Sequence, residues 1–118
     1  SEILTLHLPK TKQTLGLYSR EVLSKLRPDC LLINTCRGGI VDEDALLERL
    51  ETEELTAACF DVFAVEPAQN DHLLRHRNML ATPHIGASTE ETRLILVRAA
   101  VRGLTENALV DPEQFYAV

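Results

Sequence analysis

One arginine, two carboxylates and one histidine stand out because each follows a short apolar run. Arg37 lies in the turn Thr35-Cys36-Arg37-Gly38-Gly39 after residues 30–34. Asp61 and Glu66 follow residues 56–60, and His84 follows residues 78–82 within Pro83-His84-Ile85-Gly86-Ala87. An arginine fork holds a carboxylate through two parallel hydrogen bonds and polarises a neighbouring carbonyl. A histidine titrates near neutral pH and can give or take a hydroxyl proton, while a glutamate on its other ring nitrogen fixes the tautomer. Gly38-Gly39 would let the backbone approach a ligand closely. Together these types predict redox chemistry at a 2-hydroxy or 2-oxo acid, with the hydride carried by a cofactor. Each also has a plainer reading: a turn arginine, a solvated loop glutamate, an aspartate pairing with nearby amides, a strand-end histidine.

The elements that must position these groups alternate short apolar runs with amphipathic stretches. Residues 3–8 (ILTLHL) read as a strand stopped by Pro9. Ser19 caps a helix over SREVLSKL, which Pro28 closes. Residues 30–34 (CLLIN) form a continuous apolar run, predicting a strand buried on both faces. Asp42 caps a helix through Leu50, with Glu43 and Asp44 placed favourably in its first turn. Residues 56–63 and 78–83 supply two further strands, and a short helix falls near 71–76. Ser88 and Glu91 read as a capping box, behind which Leu94, Val97, Val101, Leu104 and Ala108 form one face of a long helix. This order predicts an α/β fold: a parallel sheet of about four strands with flanking helices and a long C-terminal helix. Ligands of such sheets sit at the carboxyl ends of the strands, so all four groups should meet in one cleft.

The 118 residues suffice for one domain, and 45% hydrophobic with 25% charged residues argues against disorder. A net charge of −6 without a Lys/Arg block argues against nucleic acid as a partner, and no apolar run is long enough to span a membrane. Cys30, Cys36 and Cys59 lie at no metal-ligand spacing and read as reduced thiols of a cytoplasmic protein, Cys30 and Cys59 buried within strands. No metal is implied. His7 reads as structural, and His72 and His76 as solvent-exposed. The chain opens inside an apolar run, which predicts a fragment of a longer chain; ILTLHL has no edge-blocking residue and expects a partner strand.

Three segments carry a resemblance: LHLPKTKQTLGLYSREVLSKLRPDCLLINTCRGGIVDEDAL, FDVFAVEP and TPHIGASTEET. In order and approximate spacing they resemble the D-isomer-specific 2-hydroxyacid dehydrogenases, over nearly all of residues 1–110. The resemblance implies that residues 1–118 are the C-terminal half of a Rossmann-like dinucleotide-binding domain. The half carrying G-x-G-x-x-G and the substrate domain would lie elsewhere, so the isolated chain should be inactive. It implies Arg37 as the carboxylate holder, His84 as acid/base, Glu66 as its support and Asp61 as a contact of the nicotinamide amide. Leu8, Thr35, Cys36, Arg37, His84, Ile85, Gly86 and Ala87 would line the cofactor, NAD with NADP not excluded. Cys36 stands where Ala or Ser is common and Phe60 where a smaller aliphatic is more usual. Glu66 departs from the formate dehydrogenase branch, which has Gln there, and GAST after His84 is nearer the branch acting on 3-phosphoglycerate in serine biosynthesis. The whole protein would then be a homo-oligomer acting on a small 2-hydroxy or 2-oxo acid. The alternative is a non-catalytic dinucleotide-sensing or interaction module, of the kind some corepressors with this fold represent.

Overall fold

The computed structural model describes residues 1–106, divided into a compact unit of residues 1–86 and a second unit that begins at Ala87. Ala108 of the apolar stripe and the tail VDPEQFYAV lie outside the described residues. The first unit is a parallel sheet of β1 (Ile3–Leu6), β2 (Leu31–Asn34), β3 (Ala57–Phe60) and β4 (Met79–Ala81), ordered in space as in sequence. Leu4, Leu32 and Ala58 are in register, as are Leu6, Asn34, Phe60 and Ala81. Because side chains alternate along a strand, these registers define one face of the sheet. Helices α1 (Arg20–Leu23), α2 (Glu43–Glu51) and α3 (Asp71–Leu74) follow β1, β2 and β3 in turn. Leu23 of α1, Ala45, Leu46 and Leu50 of α2 and Leu73 of α3 join that face in one core.

Several expectations are corrected. The run 30–34 is not buried on both faces: Leu32 and Asn34 are buried, whereas Leu31 and Ile33 are half-buried. The reason is that the core-forming helices of this unit all contribute to one face. The helix over 19–26 shortens to Arg20–Leu23, and Ser19 makes no side-chain cap. Lys25 and Leu26 instead donate to Val22 and Leu23, three residues back, so the segment ends as a tightened turn ahead of Pro28. The strand expected over 56–63 stops at Phe60, because Asp61–Phe63 turn away to build the site. Asp42 does cap α2, its carboxylate accepting from the Ala45 amide at 3.0 Å. In α4 (Glu90–Glu106) the hydroxyl that receives an amide is that of Thr89, from Thr92, so the N-cap falls one residue after Ser88. Cys59 is half-buried rather than buried, and His76 is half-buried rather than exposed, its Nδ1 accepting from the Asn78 amide. His7 is exposed beside the Thr5 hydroxyl, and His72 is exposed.

Candidate active site

The carboxyl end of β2 is shaped by a buried side chain that the sequence did not single out. Asn34 is 1% exposed. Its Oδ1 accepts from the Cys36 amide at 3.2 Å and from the Cys36 thiol at 3.0 Å, and its Nδ2 donates to the Arg37 carbonyl at 3.3 Å. A strand-ending Asn after an apolar run was the available signal, since its short amide can stand in for backbone partners in a turn. Arg37 is exposed, with one guanidinium nitrogen donating to the Cys36 carbonyl at 2.7 Å. At Gly38 the missing side chain makes room for the protein's own backbone. A Cβ there would lie 1.7 Å from the Phe63 carbonyl oxygen, so the turn is pressed against the loop that follows β3. Gly39 adopts φ +79°, a conformation that glycine accepts without strain.

That loop carries Glu66, which works in two directions. Its Oε1 accepts from the Phe63 amide at 3.1 Å, and its Oε2 lies 2.8 Å from Nδ1 of His84. An ionised carboxylate only accepts, so Nδ1 donates; in the neutral ring this leaves Nε2 with its lone pair. No described residue hydrogen-bonds Nε2. The His84 hydrogen bond, then the Phe63 amide, hold the Glu66 carboxyl below its usual range. His84 itself sits at φ +53°, a region uncommon for a residue with a side chain, closed by its amide donating to the Thr82 carbonyl.

Asp61 keeps the histidine loop in that conformation. Its carboxylate accepts from the Thr82 hydroxyl, from the Ile85 amide at 2.8 Å and from the Gly86 amide at 3.0 Å. Burial opposes the charge, yet these donors and the neighbouring His84 hold the Asp61 carboxyl below its usual range. Thr82 is a second residue missed in the sequence; a threonine before Pro83 gave little local sign of it.

Asp61, Glu66, Thr82 and His84 line one cleft of about 560 Å³ with Phe63 and Leu74. Arg37 does not line it. It borders a separate groove with Leu8, Thr35 and Cys36, beside His7 and Lys10. Arg37 and His84 thus border different hollows at the carboxyl ends of the strands, where the Phe63–Ala64 backbone packs against Gly38. Ile85 and Gly86 belong to the first unit with His84, and Ala87 begins the second.

Strand-end loops carrying an arginine, a carboxylate–histidine pair and a buried aspartate fit a dehydrogenase site. Residues 1–86 match the D-isomer specific 2-hydroxyacid dehydrogenase NAD-binding domain. The chain belongs to the D-isomer-specific 2-hydroxyacid dehydrogenase family. Among its relatives, the D-3-phosphoglycerate dehydrogenase of Bacillus subtilis (strain 168) is 48% identical over 94 residues, covering 80% of this chain and 18% of that protein. A glyoxylate reductase from Paecilomyes thermophila superposes with a TM-score of 0.88 at 28% identity, covering 97% of this chain and 37% of that one. A D-isomer specific 2-hydroxyacid dehydrogenase from Xanthobacter autotrophicus Py2, solved with NADPH and MES, gives 0.69 at 41% identity over 72% and 27% of the two chains. The chain thus spans less than two fifths of the length of each. Its domain is an NAD-binding one, and the residues present fit a nicotinamide. Asp61 accepts three hydrogen bonds where a carboxylate has about four lone-pair sites, which leaves room for a carboxamide N–H.

Proposed function

We propose that the whole protein interconverts a D-2-hydroxy acid and its 2-oxo acid with NAD or NADP, and that the acid is 3-phosphoglycerate. The bound nicotinamide supplies the hydride acceptor. This chain's residues handle the proton and the carboxylate. His84, with Nδ1 tied to Glu66, receives the substrate hydroxyl proton at Nε2 as the carbonyl forms and returns it in the reverse direction. The Glu66 carboxylate then faces an imidazolium, which it favours, while its second oxygen stays on the Phe63 amide and keeps the pair in place. Arg37 turns from its own backbone to the substrate carboxylate. Asp61 holds the 84–86 backbone and offers its remaining lone pair to the nicotinamide amide.

The Glu66–His84 pair is the observation that carries this reading, since a histidine tied by a carboxylate at one nitrogen and free at the other suits proton transfer. Similarity to D-3-phosphoglycerate dehydrogenase at 48% identity supports 3-phosphoglycerate and a place in serine biosynthesis. The same reading has the whole protein cytoplasmic and homo-oligomeric, with neither nucleic acid nor membrane as partner, and residues 1–118 alone inactive. The test uses the full-length protein and follows NADH formation with D-3-phosphoglycerate and with other D-2-hydroxy acids. Arg37→Ala and His84→Ala should each lower turnover by about 10²–10⁴-fold. Near-normal turnover in both variants would overturn the roles given to Arg37 and His84, and a wild type that forms no NADH with any D-2-hydroxy acid would leave the dinucleotide-sensing module.

A further inference from the structure

The loop that presents Glu66 is also held by a second carboxylate, from α2. Its Ala64 amide donates to Oε1 of Glu43 at 2.6 Å, and Glu43 is the first residue of α2. Three contacts therefore converge on the Phe63–Ala64 peptide and its neighbours: Gly38 against the Phe63 carbonyl, Glu66 on the Phe63 amide, and Glu43 on the Ala64 amide. A fourth tie runs from the Asn70 side chain to Asp44, at 3.4 Å. The segment from Phe63 to Asn70 is thus fastened at both ends to the first turn of one helix, and Glu66 lies between the ties. In sequence Glu43 looks like a first-turn charge and nothing more. In the structure it is half-buried, and burial, then its acidic neighbours Asp44 and Asp42, push its carboxyl up against the opposing pull of the Ala64 amide. A helix N-terminus favours an exposed acid without any such burial.

We infer that Glu43 is a positioning residue for the acid/base pair: it sets the Phe63–Ala64 peptide, which sets Glu66, which sets His84. The inference rests on the reading of Glu66 and His84 as that pair. Glu43 touches neither of them, so its effect must travel through the loop backbone. What matters is an oxygen at a fixed reach from the Ala64 amide, and the negative charge is secondary.

Two substitutions in the full-length enzyme separate reach from charge. Glu43→Gln keeps an acceptor oxygen at the same reach and removes the charge. Glu43→Asp keeps the charge at the helix start and withdraws the acceptor by one methylene. Glu43→Asp should lower kcat by about tenfold or more, since misplacement of roughly 1 Å at a reacting group can cost about 10²-fold. Its KM for NAD should stay within a factor of about two, and the limb of its pH–rate profile that reports the histidine should move. Glu43→Gln should stay within about threefold of wild type, with that limb in place. Wild-type kinetics in Glu43→Asp would overturn the inference. So would equal losses in both variants with an unshifted limb, which would mark Glu43 as a purely structural acid. If His84→Ala retains turnover, the acid/base reading itself fails; if His84→Ala is inactive and Glu43→Asp is normal, only the positioning role fails.

Discussion

Gly38 and Phe63 are in such close contact that a single added Cβ would lie 1.7 Å from the Phe63 carbonyl oxygen and 2.1 Å from its carbon. The obstructing atoms are backbone, which cannot swing aside as a side-chain end can. The turn bearing Arg37 and the loop bearing Glu66 are therefore pressed together through one glycine, and their separation is set by that contact.

Gly38→Ala is expected to be among the most damaging small substitutions in this chain. Overpacking against backbone should cost about 3 kcal/mol and push the Arg37 turn off the Glu66 loop. Thermal denaturation of the full-length protein checks the first consequence, and the KM for the 2-hydroxy acid checks the second. A variant with wild-type stability and KM would contradict the contact.

Asn34→Ala removes the acceptor for the Cys36 amide and the donor to the Arg37 carbonyl, two part-buried hydrogen bonds of a buried side chain. The loss should be about 1–3 kcal/mol. Because the freed turn carries Arg37, the KM for the acid should rise more than the KM for NAD. Steady-state kinetics with each substrate varied in turn distinguishes this from a uniform loss of folded enzyme.

Acid sensitivity should trace partly to Asp61 and Glu66. Both carboxyls are held below their ordinary values of 3.8 and 4.5, so folding favours the ionised forms. Their stabilising contribution is then fully present above those ordinary values and is lost as pH falls through the lower folded-state values. The thermal midpoint of the wild type should accordingly drop steeply below about pH 4.5, and Glu66→Gln should flatten part of that drop. Glu43 has the opposite sign, since its raised value means that ionisation above 4.5 is opposed by folding. An unchanged slope in Glu66→Gln would count against the pair.

Thr82→Val keeps the shape of the side chain and deletes one of the three donors on Asp61. The Asp61 carboxyl should rise towards its ordinary value, and the acid-induced loss of folded protein should begin at higher pH than in the wild type. A charged acceptor that loses one hydrogen bond accounts for about 1.5–3 kcal/mol. Turnover should fall with it, since Asp61 also holds the Ile85 and Gly86 amides beside His84.

The kinds of group at the strand ends were legible in the sequence because they depend on local pattern. Short apolar runs ended by Pro, Gly or Asn place Arg37, Asp61, Glu66 and His84 after β2, β3 and β4, and the parallel order follows from the alternation with helices. The Asp42 cap is equally local, three residues from the amide that it receives. Boundaries were less legible: β3 ends at Phe60 because Asp61 and Phe63 are recruited by partners elsewhere in the fold, and Thr89 takes the cap that Ser88 seemed to offer.

Which groups meet was decided by tertiary structure alone. Glu66 reaches His84 across 18 positions and Asp61 reaches Gly86 across 25, distances at which no local pattern operates. Those encounters are set by the register of neighbouring strands, with Phe60 level with Asn34 on one side and Ala81 on the other, which brings the loops after β2, β3 and β4 to the same edge. At that edge Gly38 packs against the Phe63 backbone, which joins the turn bearing Arg37 to the loop bearing Glu66. Residue type and spacing thus determined what chemistry the chain could offer. Packing between strand-end backbones decided which side chains share a hydrogen bond, because that depends on volumes filled by residues far apart in sequence.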